Sequence, residues 1–193
     1  MSSRGCGYCG ESIVAARSDA RFCGAKCRVY SARRSARAPI IPAELRARDR
    51  FVRFAKNKRP IMVAGFGDAS ASSTNPATWA SYQDALASSK GAGLGFVLNG
   101  DGIGVIDLDH CIDNGVVASW ALDIMDANAG TFMEISTSGT GIHIWGLLTS
   151  QPGRVIRDGR NIEVYTTGRY VALGTPLDGS RGVLNSLVTT LAN

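Results

Sequence analysis

No apolar run in the 193-residue sequence approaches the roughly 18 residues that a membrane span requires, and Met1 to Gly10 lacks the apolar stretch of a secretory signal. Both absences predict an intracellular chain with no membrane partner. No Gly-x4-Gly-Lys-Ser/Thr loop occurs, which excludes a P-loop motor. The run Gly91-Ala92-Gly93-Leu94-Gly95 precedes a β-type segment instead of joining a strand to a helix, and this argues against dinucleotide binding. Internal repeats and low-complexity tracts are also lacking. Acidic residues are scarce at the start: residues 1–60 hold 4 of the 16 Asp and Glu but 15 of the 21 Lys and Arg, a net +11 that leaves −6 for the rest. Such a basic head on an acidic body suggests attraction to nucleic acid through one segment, because phosphate neutralisation depends on local charge.

With 45% hydrophobic and 19% charged residues, the chain can fill a core, and its length predicts one domain with a small appendage. Four of the five cysteines crowd into Cys6-x2-Cys9-x13-Cys23-x3-Cys27. Two close pairs of this kind can set four thiolates at the corners of a tetrahedron about 2.3 Å from a zinc ion. Large apolar residues are few in this segment, so the metal would supply most of its folding free energy. An intracellular chain disfavours the alternative of two disulfides. Arg28, Arg33, Arg34 and Arg37 follow the second pair as candidate DNA contacts, as in small zinc knuckles whose second cysteine pair opens a basic helix. Cys111 stands apart and reads as a buried small hydrophobe.

The expected organisation is a zinc knuckle with basic tail over residues 1–38, a linker and basic helix over 39–60 and a catalytic domain over 61–193. Pro39 and Pro42 mark the linker, and Leu45, Phe51, Val52 and Ala55 partly align on a helix from Ala43 to Lys56, with Arg46, Arg48, Arg50 and Arg53 outside. Asn75-Pro76 opens a second helix carrying Trp79, Tyr82 and Leu86, and Val116, Trp120 and Ile124 suggest a third from Val116 to Asn128. β-type runs fall at residues 93–98, 102–108, 132–136, 142–147, 162–165 and 170–173. The body is therefore α/β or α+β, with antiparallel neighbours where the connections are short.

Three runs carry chemistry. In Ile103-Gly104-Val105-Ile106-Asp107-Leu108-Asp109 the strand period of two puts Asp107 and Asp109 on one face, where their repulsion calls for a cation such as Mg²⁺ or Mn²⁺. Ser138-Gly139-Thr140-Gly141-Ile142-His143 offers hydroxyls, close backbone N–H groups and a histidine donor to a triphosphate. Ile162-Glu163-Val164 supplies a third carboxylate. Each alone has an ordinary explanation: a solvated strand end, a satisfied strand histidine, an exposed strand charge.

Together and in order, these runs resemble the archaeo-eukaryotic primase superfamily, especially the primase-polymerase domains of bacterial viruses and plasmids. Asp107 and Asp109 match that family's first motif, Ser138, Gly139, Gly141 and His143 its second, and Glu163 its third, and the run from Gly168 to Leu173 resembles the strand that follows. Lys58-Arg59-Pro60 and Thr78-Trp79-Ala80 also resemble the phage lead-in. The resemblance covers about Ala43 to Pro176. It implies an RRM-like catalytic sheet and nucleotidyl transfer on single-stranded DNA in the cytoplasm of a bacterial host. Asp107, Asp109 and Glu163 would hold Mg²⁺ or Mn²⁺, and Ser138, Gly139, Gly141, His143 and Arg169 would bind a ribo- or deoxynucleoside triphosphate. Gly174-Thr175 reverses the order found in many relatives. The sequence to Asn193 shows neither the helical accessory domain nor the helicase motor that usually follows, so extension is favoured over priming from two free nucleotides, with a separate helicase as partner. Two other readings use the same residues: a metal-dependent nuclease, and a zinc-knuckle DNA-binding module on an inactive primase fold.

Overall fold

The computed structural model describes Cys6, Ser12, Ile13, residues 20–29 and residues 41–190. The chain divides into two compact units, Met1–Pro39 and Ile40–Asn193. With that boundary the first unit holds 8 Lys and Arg against 2 Asp and Glu, net +6, and the second 13 against 14, net −1. The larger unit is thus nearly neutral, since the basic residues 46–59 belong to it. No helix among the described residues is long and apolar enough to cross a membrane.

In the first unit, residues 25–29 are helical, and Arg28 is exposed there. Cys9, Arg33, Arg34 and Arg37 lie outside the described residues.

The second unit is α+β, with few helices and mostly antiparallel sheets. A four-stranded sheet has the order β11-β3-β1-β2, formed by Thr167–Ala172, Gly93–Asn99, Phe51–Phe54 and Pro60–Ile61. A six-stranded sheet has the order β12-β7-β8-β4-β10-β9, formed by Thr175–Pro176, Phe132–Ile135, Ile142–Leu147, Ile103–Leu108, Asn161–Tyr165 and Arg154–Arg157. A small hairpin, β5 (Ile112–Asp113) with β6 (Val116–Val117), leads into a helix at Ser119–Ala127. Shorter helices are α1 (Ala43–Arg46) and α2 (Tyr82–Ala87), which makes Ser119–Ala127 α3.

Strand β4 is buried along both faces, as its β-branched and apolar residues dictate. Ile103 and Val105 join Phe132 and Trp145 in one core cluster with Phe51, Phe96 and Val171 of the four-stranded sheet. Phe96 bridges the two sheets, its ring 5.2 Å from Phe51 and 5.9 Å from Trp145. The alternate residues Ile106 and Leu108 pack with Ile144, Ile162 and Val164 against Ala121 and Ile124 of α3. The polar residues of the site share the face of Ile103 and Val105, toward the four-stranded sheet.

Three expectations are corrected. The linker and basic helix over 39–60 is a four-residue helix followed by β1 and β2. Phe51, Val52 and Phe54 favour a strand, and β1 buries them between β2 and β3. Arg50 is consequently buried, with Asp101 at 2.7 Å and the Phe96 ring 4.7 Å below its guanidinium. The helix opened by Asn75-Pro76 stops after one 3₁₀ turn, Pro76–Thr78, capped by Asn75, and α2 starts anew at the cap Ser81, whose hydroxyl accepts from the Asp84 N–H at 3.1 Å. The helix placed at Val116–Asn128 begins only at Ser119, because Val116 and Val117 pair with β5.

Candidate functional site

Register across the six-stranded sheet brings four polar residues into one row. Glu134 of β7 stands opposite His143 of β8, His143 opposite Asp107 of β4, and Asp107 opposite Glu163 of β10. Directly opposed residues of antiparallel strands project to the same face, so the four side chains stand side by side. Asp109 follows in the turn after β4, its N–H held by the Asn161 carbonyl at 2.9 Å. Asp107, Asp109 and Glu163 each offer an oxygen within 4.8 Å of the others, a set that could hold a metal ion.

Asp107, His143 and Glu163 of this row, with Asp109, line a cavity of about 310 Å³, and Glu134 lies buried outside its lining. Arg169 and Tyr170 of β11 face it from the four-stranded sheet, and Lys58 reaches it from the turn between β1 and β2. Ser136, Thr137 and Ser138 close one end. Of the residues expected in the site, Asp107, Asp109, Ser138, His143, Glu163 and Arg169 converge here, whereas Gly139 and Gly141 do not line the cavity. Those glycines shape the loop. Gly139 takes φ +78°, a left-handed turn conformation, and a Cβ on Gly141 would lie 2.8 Å from the Leu108 carbonyl oxygen. Part of the expected anion cradle is also spent internally: the Gly139 N–H donates to the Ser136 carbonyl at 2.9 Å and the Gly141 N–H to Ser136 Oγ at 3.2 Å. The hydroxyls of Ser136, Ser138 and Thr140 form a chain with 2.9 Å links.

Burial pushes the Asp107 carboxyl up to about 6, and the neighbouring Asp109 and Glu163 charges add to this against the opposing pull of His143. Its Oδ1 is buried without a hydrogen-bond partner, the His143 Nε2 standing 3.7 Å away. An orphaned carboxylate oxygen beside two more carboxylates fits a set of oxygen ligands for a divalent cation. Glu163 is engaged on both oxygens, one by Arg157 Nη2 and the other by the Tyr165 hydroxyl at 2.7 Å. A cation drawing on Glu163 must compete with the Arg157 guanidinium, which is 44% exposed and has room to swing away.

Sequence reasoning missed Glu134. It is 1% exposed and satisfied by three donors: His143 Nδ1–H and Trp145 Nε1–H, both at 2.9 Å on Oε1, and the Gly174 N–H at 2.9 Å on Oε2. Burial pulls the His143 imidazolium down, but the hydrogen bond and charge of Glu134, joined by Asp107 and Asp109, reverse this and leave its pKa raised. Glu134 therefore fixes the ring with Nε2 toward Asp107 and favours the doubly protonated form. An acidic residue within Phe132-Met133-Glu134-Ile135 was a visible signal, of the same kind that singled out Glu163.

No protein-family model matches the chain, and no curated protein does. Three carboxylates suit a hard divalent cation with oxygen ligands, and Lys58, Arg169 and the His143 imidazolium suit phosphate oxygens. Cys111 is no nucleophile: it is 1% exposed, its thiol donates to the Leu108 carbonyl at 3.2 Å, and burial pushes its pKa up to about 11.

The first unit holds a separate cluster. The sulfurs of Cys6, Cys23 and Cys27 lie within 4.8 Å of one another, so these residues could also hold a metal ion. Cys23 Sγ and Cys27 Sγ are 3.4 Å apart, well beyond the roughly 2.05 Å of a disulfide, and the Cys23 N–H points to Cys6 Sγ at 3.4 Å.

Proposed function

We propose that this chain is a template-directed nucleotidyltransferase of the archaeo-eukaryotic primase kind, a DNA primase or polymerase that lengthens a strand on single-stranded DNA inside a bacterial host cell. The observation that carries the reading is the convergence of Asp107, Asp109 and Glu163 within 4.8 Å, beside a buried histidine, in a cavity flanked by Lys58 and Arg169. Three motifs far apart in sequence meet at one point, with an acidic half for metal and a cationic half for phosphate.

The sheet order supports an RRM-like core. Strands β4, β7, β8 and β10 follow one another in the chain and lie in the order β10-β4-β8-β7, all antiparallel, with α3 crossing from β4 to β7. That is the 4-1-3-2 arrangement of a split β-α-β fold, with β9 standing where the second helix would come. Asp107, Asp109 and Glu163 would hold Mg²⁺ or Mn²⁺, whose charge would lower the pKa of an attacking 3′-hydroxyl and stabilise the departing pyrophosphate. His143, held by Glu134, would donate from Nε2 to a phosphate oxygen, and Ser138 would donate its hydroxyl. Lys58 and Arg169 would neutralise the rest of the triphosphate charge. No side-chain nucleophile takes part. In the first unit, Cys6, Cys23 and Cys27, with Cys9, would bind zinc and present Arg28 to DNA.

The test is incubation of the full chain with single-stranded template, with and without a primer, and labelled ribo- or deoxynucleotides offered separately. Labelled products longer than the primer support the reading. Shortened oligonucleotides would instead assign the same carboxylates to a nuclease, and an unchanged oligonucleotide would assign a binding module.

A further inference from the structure

Phe66 stands in full solvent, with a relative exposure of 103%, at the tip of a Gly65-Phe66-Gly67 turn whose two glycines take φ +80° and +62°. The loop beneath it is pinned from two sides. The Lys90 ammonium donates to the carbonyls of Met62, Ala64 and Gly65 at 3.3, 3.2 and 2.8 Å. Arg59 Nη1 donates to the Asp68 carbonyl at 3.0 Å and to Ser70 Oγ at 2.7 Å. The two arms also pair with each other, the Met62 N–H on the Ala69 carbonyl at 2.8 Å and the Ala71 N–H on the Pro60 carbonyl at 3.0 Å. The ring buries no area in the folded chain, and the hydrogen bonds beneath it hold its loop in place, so both of its faces are open to a ligand.

Charge says what that is. From residue 56 to residue 70 the exposed loop and the turn before it carry Lys56, Lys58 and Arg59 against Asp68 as the single acid. Lys58 and Arg59 are adjacent but serve two places: Lys58 lines the cavity, and Arg59 anchors the Phe66 loop. An aromatic platform on a loop that Arg59 ties to a cationic turn has the chemistry that binds unpaired polynucleotide, with bases stacking on the ring and phosphates meeting the cations.

We propose that Phe66 is a stacking platform for an unpaired base of single-stranded nucleic acid, which the Lys56–Arg59 turn holds by its phosphates on the way to the cavity. This rests on the reading above in taking the ligand to be a polynucleotide, but it does not require the cavity to be catalytic.

The experiment measures binding of the full chain, without added metal or nucleotide, to a labelled oligothymidylate and to an abasic oligomer of the same length. Phe66→Ala should weaken oligothymidylate binding by roughly fivefold to a hundredfold, leave abasic binding and the slope against salt unchanged, and leave the melting temperature in place, while Phe66→Trp should retain affinity. Lys56→Ala with Lys58→Ala should instead weaken both ligands and flatten the slope. Unchanged oligothymidylate binding by Phe66→Ala would overturn the proposal, as would an equal loss for both ligands. A Phe66→Ala protein that changed its oligomeric state in sedimentation would also overturn it, assigning the ring to contact with a second copy. Primer extension by the wild type, measured separately with metal and nucleotide, tests the catalytic reading: extension without a Phe66 effect on binding sinks only this proposal, and a Phe66 effect without extension sinks only the catalytic one.

Discussion

Asp107 has one oxygen buried without a partner and a carboxyl pushed up to about 6 by burial and by the acids beside it. Its folded pKa lies above the unfolded value, so between about pH 4 and 6 the native state holds the extra proton and stability falls as pH rises through that window. Above it, the ionised carboxylate costs the cation-free chain about 1–3 kcal/mol. Asp107→Asn should therefore be more stable than wild type at pH 7.5 by about that much, with the gap closing toward pH 4, as denaturant melts without Mg²⁺ or Mn²⁺ would show. Glu134 behaves oppositely. Glu134→Gln can keep Oε1 for His143 and Trp145 but then turns an amide NH₂ against the Gly174 N–H, a donor facing a donor, at a cost of about 1–3 kcal/mol. It also removes the charge that favours the doubly protonated ring, so the ring ¹⁵N resonances of His143 should shift at neutral pH, and nucleotide affinity should fall. His143→Ala should likewise weaken nucleotide binding more than template binding in parallel titrations. Asp107, Asp109, His143 and Glu163 were legible because their runs match, in order, the motifs of one family, although each alone has an ordinary explanation. Glu134 carries the same local signal as Glu163, an acid in an apolar strand, but its place beside His143 comes from cross-strand register, and the reach of Lys58 into the cavity comes from a turn.

Among the elements, strands β3, β4, β7, β8, β10 and β11 were legible from alternation and β-branched runs, with ends displaced by a few residues. The segment from Ala43 to Lys56 misled because a sparse helical alignment competed with the stronger strand preference of Phe51-Val52-Arg53-Phe54, and pairing with β2 and β3 decided it. Strand β9 could not be read from Arg154-Val155-Ile156-Arg157, since its exposed residues give no clear amphipathic pattern and its place depends on pairing with β10. In the turn from Ser136 to Gly141, Gly139 and Gly141 shape the site without lining the cavity. A Cβ on Gly141 would press on the Leu108 carbonyl at 2.8 Å and on Ser136 Oγ at 3.1 Å, and backbone cannot yield as a flexible side chain can. Gly141→Ala should cost about 1–3 kcal/mol and shift the end of β4 and the turn after it that carries Asp109, lowering divalent-cation affinity in calorimetric titration. Gly139→Ala meets no neighbouring atom and should cost only about 1 kcal/mol, through its left-handed φ.

For the whole molecule, the composition pointed to a basic head and an acidic body, and the boundary at Pro39 moves much of the basic charge into the larger unit, leaving +6 and −1. The sequence reading ended the cysteine segment at residue 38, one residue before this boundary, but set residues 39–60 apart as a linker and helix, because they join the core through long-range strand pairing that no local pattern shows. Residues 40–193 alone should unfold cooperatively and keep whatever metal-dependent activity the full chain has on a supplied primer. Loss of residues 1–39, or Cys23→Ser, should lower affinity for single-stranded DNA by roughly tenfold or more and flatten its salt dependence, since about six positive charges go with that unit. Equal affinity and slope with and without the unit would make it a structural or protein-contact element. The central claim is that Asp107, Asp109 and Glu163 form a metal site for nucleotidyl transfer, and its most direct measurement is single-nucleotide incorporation on a primed template with Mg²⁺ or Mn²⁺, comparing wild type with Asp107→Ala and Asp109→Ala. The account predicts template-matched, metal-dependent lengthening of the primer by the wild type and loss of at least about a hundredfold in both variants, each still folded and still binding DNA. Incorporation near the wild-type rate in either variant, or no lengthening by the wild type, would contradict it.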